Sequence, residues 1–181
     1  LLKLTSPGVP DLYQGTELWE LSLVDPDNRR PVDFAQRRAL LADLRRREAA
    51  AGDDRRALLC DLLDHAADGR IKLAVIARAL AFRREQPDLF AAGDYLPLEA
   101  QGAEREHVVA YARQHGAATA LVVVPRLVVG LTGGERPPLG AETWSDTALL
   151  LPPAWAASRW RNLLTGEDLT PRRIGRRATL P

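Results

Sequence analysis

Methionine is absent from this chain of 181 residues, cysteine occurs once, and aromatic residues make up only 6%. With Cys60 alone, no internal disulfide can form, and a reducing, cytoplasmic setting is the simplest expectation. Without methionine, and with the opening Leu1-Leu2-Lys3-Leu4, no residue marks a start of translation, so the chain is expected to be a C-terminal piece of a larger protein. Long apolar runs are missing too. Ala120 to Val124 and Leu127 to Leu131 are separated by Pro125 and Arg126, well short of the roughly 18 residues of a membrane span. No signal-peptide pattern is visible within these residues.

An excess of either charge is missing as well: 25 Lys and Arg against 24 Asp and Glu leave a net charge of +1. Arg45-Arg46-Arg47 and Arg172 to Arg177 are locally basic, but no aromatics interleave them, and Asp43 and Glu48 flank the first. Solvated surfaces are expected there, not a nucleic-acid footprint. His65, His107 and His115 stand isolated and read as surface residues, and Cys60 reads as packed within a helix.

A hydrophobic content of 46% with 27% charged residues fits one good core or two small ones. Leu1, Leu2 and Leu4 read as the start of a short buried strand that runs, with its turn, to about residue 16. Asp33 suits a helix N-cap, with Gln36 three residues on, and Gly52 suits the stop. A second helix is predicted from Asp53 or Asp54 to Gly69, with Leu58, Leu59, Leu62 and Leu63 on one face. A third runs from about Arg70 to Gln86, and Pro87 ends it. The pattern changes near Ala91 to Asp94. Beyond it, Tyr95 to Glu99, His107 to Arg113, Thr119 to Val129, Thr147 to Leu151 and Arg159 to Leu164 read as strands, and Gly133 to Pro138 as a loop. No internal repeat is present.

The residues richest in chemistry lie early. Tyr13 and Gln14 sit at the end of the first apolar run, and Asp25, Asp27, Asn28, Arg29 and Arg30 follow within one short polar loop. A tyrosine ring stacks on the C–H face of a sugar, and guanidinium groups either hold a carboxylate or donate to hydroxyls. A polyhydroxylated ligand suits this set. A loop held by local turns and surface ion pairs is the competing reading, and for Tyr13 and Trp19 it is filling core beneath the loop. Asp25 and Asp27 match the first ligand positions of an EF-hand, but Arg29 and Arg30 replace the next ligand and the required glycine, so no metal is expected.

Pro7-Gly8-Val9-Pro10 with Tyr13-Gln14-Gly15-Thr16-Glu17 resembles the eighth-strand motif of the α-amylase superfamily. Ser22 to Asp33, reading through Asp25-Pro26-Asp27-Asn28-Arg29-Arg30-Pro31, is similar to the maltooligosyltrehalose synthase family. Gly69-Arg70-Ile71-Lys72-Leu73, Tyr95 to Glu99, Val122 to Arg126 and Trp160 to Gly166 fit the same family. The resemblance runs to about residue 168; the ending Ala178-Thr179-Leu180-Pro181 departs from the family's usual apolar one.

The resemblance implies an α+β fragment. Residues 1–92 would be the last strand, loop and helices of a (β/α)8 barrel, and residues 93–181 an antiparallel β-sheet or sandwich domain. It implies an intramolecular transglycosylase that turns the reducing-end α-1,4 linkage of maltooligosaccharides into α,α-1,1, without a cofactor. Substrate-binding roles fall to Tyr13, Gln14, Asp25, Asn28, Arg29 and Arg30, and Glu17 would hold the loop. The catalytic carboxylates, about 5 Å apart in such retaining enzymes, would lie outside this chain, so no catalytic residue is assigned within it. Functional coupling to a maltooligosyltrehalose trehalohydrolase would follow. A hydrolytic α-amylase or α-glucosidase, and a stand-alone carbohydrate-binding or structural module, are the alternatives.

Overall fold

The computed structural model describes the backbone of residues 1–174 and 177–180, and their side chains except at 173, 174 and 177. Most of the basic stretch Arg172 to Arg177 therefore lies outside the described side chains; Arg172 itself is exposed.

The first half is helical. After a single turn, α1 (Leu2–Thr5), the long helix α2 (Phe34–Ala51) begins where Asp33 accepts a hydrogen bond from the Gln36 N–H at 2.8 Å. It stops at Gly52, whose φ is +63°. Helix α3 (Arg56–Asp64) starts later than the sequence predicts, because Arg55 is pinned outside it. Its N–H bonds to the Thr165 carbonyl at 2.8 Å, while Asp54 accepts from the Arg56 N–H at 3.1 Å. A 3-10 turn (Ala66–Asp68) separates α3 from Gly69. Helix α4 (Arg70–Glu85) runs as expected, but Pro87 opens a further short helix, α5 (Pro87–Ala91), where its missing N–H costs nothing. Leu44, Leu58, Leu62 and Leu73 pack with Leu18 into the helical core. Cys60 is exposed, contrary to expectation, because it projects from the face of α3 away from buried Leu58 and Leu62.

The opening residues correct the sequence reading. No strand forms at residues 1–16; Leu2–Thr5 is helical, and Leu4 is buried against Ile76 and Ala79 of α4. A strand needs a hydrogen-bonded neighbour, and among the described residues none lies beside this segment. The helical turn pairs its backbone locally, through Leu4 N–H to the Leu1 carbonyl and Ser6 N–H to the Leu2 carbonyl, both 2.9 Å.

The second half is built from antiparallel strands, giving an α+β chain. β1 (Asp94–Leu98), β3 (Val108–His115) and β4 (Ala118–Pro125) form one sheet in the order β1-β3-β4, with Tyr95 opposite Arg113 and Ala110 opposite Val123. β2 (Ala100–Gln101), β5 (Ala148–Leu151), β8 (Arg172–Ile174) and β9 (Arg177–Leu180) form another in the order β2-β5-β9-β8. Ala110 and Ala112 of the first sheet share one apolar cluster with Leu149, Leu151, Ala178, Leu180 and Trp155. The expected strand from Thr119 to Val129 ends early. Pro125 has no N–H for a ladder, Leu127 takes a φ of +51°, and α6 (Val128–Thr132) follows, then α7 (Ala141–Trp144). Arg159 to Leu164 shortens to β6 (Trp160–Arg161), paired with β7 (Asp168–Leu169), because the Asn162 carboxamide accepts from the Leu164 and Thr165 N–H groups and turns the chain.

Helices and strands meet through two buried arginines. Arg113, 2% exposed, donates to the carbonyls of Gly93 at 2.8 Å, Phe90 at 3.1 Å, and Thr5 and Asp94 at 3.3 Å. Arg55 donates to the carbonyls of Leu164 and Gly52 at 3.0 Å and of Leu163 at 3.3 Å. Among the described residues, no helix is long and apolar enough to cross a membrane.

Candidate functional site

The Tyr13-Gln14-Gly15 turn is closed by the Thr16 N–H, which donates to the Tyr13 carbonyl at 3.0 Å. Gly15 has a φ of +93°, and a Cβ there would stand 3.2 Å from Val32 Cγ2, so this turn requires glycine. Arg37, one turn into α2, anchors the turn from below. Its guanidinium donates to the Gly15 carbonyl at 2.7 Å, the Asp33 carbonyl at 3.1 Å and Glu17 Oε2 at 3.2 Å. Glu17 thus braces the loop through Arg37. The next residues are tied to the helices. The Trp19 indole N–H donates to the Ala66 carbonyl at 2.6 Å, and Lys72 donates to the Leu18 carbonyl at 2.9 Å while lying 5.3 Å from the Trp19 ring centroid.

The polar loop organises itself by short-range bonds. Glu20 Oε1 accepts from the Ser22 N–H at 2.8 Å and from the Ser22 hydroxyl. Asp27 accepts from the Leu23 N–H at 2.9 Å and pairs with Arg30; Arg29 donates to Asp25 at 2.9 Å. A 3-10 turn spans Asp27–Arg29.

Between turn and loop lies an open cavity of about 300 Å³. Tyr13, Gln14, Asn28 and Arg30, four residues expected at a ligand site, line it together. Asp25 and Arg29, expected with them, are not in its wall; they pair with each other on the exposed side of the loop. The two neighbouring arginines therefore have different surroundings, and only Arg30 faces the cavity. Glu20, Ser22, Asp33 and Arg37 complete the polar wall, with Pro31 and Val32 as its apolar part. Asn28 Oδ1 is sealed from solvent and has no hydrogen-bond partner among the described residues.

Sequence reasoning missed Glu20, Ser22 and Arg37 and saw Asp33 only as a cap. The α2 periodicity puts Asp33 and Arg37 on one face at i, i+4. No local rule, however, brings Arg37 to Gly15, 22 residues earlier.

The charges in the wall nearly cancel: Glu20 and Asp33 face Arg30 and Arg37. The hydroxyl and N–H of Ser22 push the Glu20 pKa below its ordinary 4.5, with smaller contributions from Arg37 and Arg30. That shift moves away from the neutral range a proton-transfer group needs. An aromatic ring, two amides, a hydroxyl and balanced charges are groups able to orient a neutral polyhydroxylated molecule.

No family model matches this chain. Two Mycobacterium tuberculosis proteins, from different strains and provisionally named maltooligosyl trehalose synthase, are each 40% identical over 168 residues, 92% of this chain and 17% of their own length. The solved maltooligosyltrehalose synthase of Arthrobacter ramosus superposes with a TM-score of 0.63 at 36% identity, covering 98% of this chain and 19% of that one. A point mutant of the same enzyme gives 0.66. Another solved maltooligosyl trehalose synthase, 25% identical, gives 0.58 over 99% of this chain and 21% of that one. The chain is thus similar, over nearly all of its own length, to one part of maltooligosyltrehalose synthases, and it spans 17% of the length of the curated relatives it matches.

Proposed function

We propose that this chain is the C-terminal part of a maltooligosyltrehalose synthase, and that its cavity holds the maltooligosaccharide while other parts of the same polypeptide supply the reacting carboxylates. The whole enzyme would convert the reducing-end α-1,4 linkage of its substrate into α,α-1,1 by intramolecular transglycosylation. Residues 1–92 would belong to the catalytic domain and residues 93–181 to a separate β-rich domain, in a cytoplasmic protein. The product would feed a trehalohydrolase. The observation that carries this reading is the gathering of Tyr13, Gln14, Asn28 and Arg30 around one charge-balanced cavity, in a chain 40% identical to named synthases.

Within this reading Arg30 donates to sugar hydroxyls and Arg29 shapes the loop through Asp25. Incubating the isolated chain with maltopentaose tests the first part: saturable binding without formation of new glycosidic products is expected. Turnover abolished by a point mutation within the chain would overturn it. In the intact enzyme, Arg30→Ala should lower kcat/KM by about 10-fold or more, the scale of one charge-assisted hydrogen bond. Arg29→Ala should cost less.

A further inference from the structure

Glu20 lines the cavity beside Tyr13, Arg30 and Arg37. Its two carboxylate oxygens differ. Oε1 is occupied by the Ser22 N–H and hydroxyl. Among the described residues nothing donates to Oε2, which lies 3.7 Å from the point where a Cβ on Gly15 would stand. Because Gly15 carries no side chain, the space beside this oxygen stays open.

The bonds from Ser22 fix the carboxylate's orientation and hold its pKa down, so Glu20 is an anion at neutral pH. An ionised carboxylate only accepts hydrogen bonds. Glu20 is exposed, so this oxygen is free to exchange water for a ligand's donor, while Arg30 and Arg37 in the same wall can only donate. Vicinal hydroxyls of a sugar ring meet both demands at once. An anionic ligand would be drawn toward the arginines but would bring like charge against Glu20, which is how a site rejects a competitor that its attractive groups alone would admit.

We propose that Glu20 is a specificity-determining sugar-binding residue: its open carboxylate oxygen accepts from a glucose hydroxyl, and its charge keeps anions out of the arginine-lined cavity. The proposal rests on the sugar-binding reading given above.

NMR titration of the 181-residue chain with maltopentaose, and separately with inorganic phosphate, tests it. The unsubstituted chain should bind maltopentaose saturably and phosphate not at all. Glu20→Ala should weaken maltopentaose binding by about 10-fold, the loss of a bond to a charged group, and should gain saturable phosphate binding. Glu20→Gln keeps an acceptor oxygen and nearly the same shape, so it guards against misfolding. It should keep most of the sugar affinity while admitting phosphate. If both variants bind maltopentaose within about twofold of the unsubstituted chain, or neither admits phosphate, the role of Glu20 is overturned and the sugar site stands. If the unsubstituted chain shows no saturable binding of maltopentaose, the sugar-site reading falls and this proposal falls with it.

Discussion

Arg113 links helices and strands in the interior chiefly by hydrogen bonds to main-chain carbonyls. No carboxylate pairs with it among the described residues; its guanidinium is surrounded by main-chain carbonyls from α1, α5 and the start of β1, and it lies 5.8 Å from the Phe90 ring centroid. The adjacent Tyr111 hydroxyl, 2.6 Å from Thr5 Oγ1, adds a second link between the same elements. Arg113→Ala would leave several buried acceptors unpaired, at about 1–3 kcal/mol each, and should lower unfolding stability by about 3 kcal/mol or more in urea titrations. Tyr111→Phe should lower it by only about 1 kcal/mol. A near-neutral Arg113→Ala would contradict the clamp.

Asp54 shows residue-scale electrostatics of another kind. Hydrogen bonds from the Arg56 side chain and N–H hold its carboxyl at about 2, against an ordinary 3.8. The folded-state value is depressed, so the stabilisation is complete above 3.8 and is lost as pH falls through about 2. A carbon-13 titration should place the Asp54 midpoint near 2, and Arg56→Ala should return it toward 3.8. An unsubstituted midpoint at 3.8 would contradict the pairing.

At the scale of elements, the connection between β6 and β7 depends on one glycine. Gly166 has a φ of +87°, and a Cβ there would stand 1.7 Å from the carbonyl oxygen of Asp53, two residues before Arg55, the N-cap of α3. Neither backbone can yield without breaking the Arg55 N–H bond to the Thr165 carbonyl. Gly166→Ala should therefore destabilise the chain by more than about 1 kcal/mol and accelerate amide exchange at both Arg55 and Asn162. A shift confined to the hairpin would mean that the two segments do not bear on each other.

The elements that sequence foretold well are those whose signals are local. Asp33 and Gln36 mark the start of α2, Gly52 its end, and the Leu58, Leu62 pattern the buried face of α3. The strands β1, β3, β4 and β5 followed from short apolar runs between turns. Leu1 to Leu4 and Leu127 to Val129 were misread for the same reason. A run of a few apolar residues fits a strand or a helical turn equally, and the available partners decide. For Leu4 the partner is α4; for Val128 the chain has already left the ladder at Pro125.

At the scale of the molecule, half of the candidate site was legible and half was not. Tyr13, Gln14, Asn28 and Arg30 lie within or beside one recognisable stretch. Glu20 and Arg37 face the same cavity only because the loop folds back on α2, a long-range event that spacing does not encode. The buried arginines are likewise invisible to sequence: Arg55 and Arg113 look like surface charges until partners more than 100 residues away are known. Together these contacts make the chain more than an appendage. They tie the cavity-bearing loop, through α2 and α4, to the antiparallel strands of the second half.

The central claim is that this chain serves a maltooligosyltrehalose synthase as a glucan-binding segment and leaves the bond chemistry to the rest of the polypeptide. Replacing the matching fifth of the Arthrobacter ramosus enzyme by this chain, and following conversion of maltopentaose to a product without a reducing end, tests it most directly. The account predicts that the chimaera forms this product and loses about 10-fold in kcat/KM on Arg30→Ala. A chimaera that unfolds cooperatively but forms no such product, or whose activity is indifferent to Arg30, would contradict it.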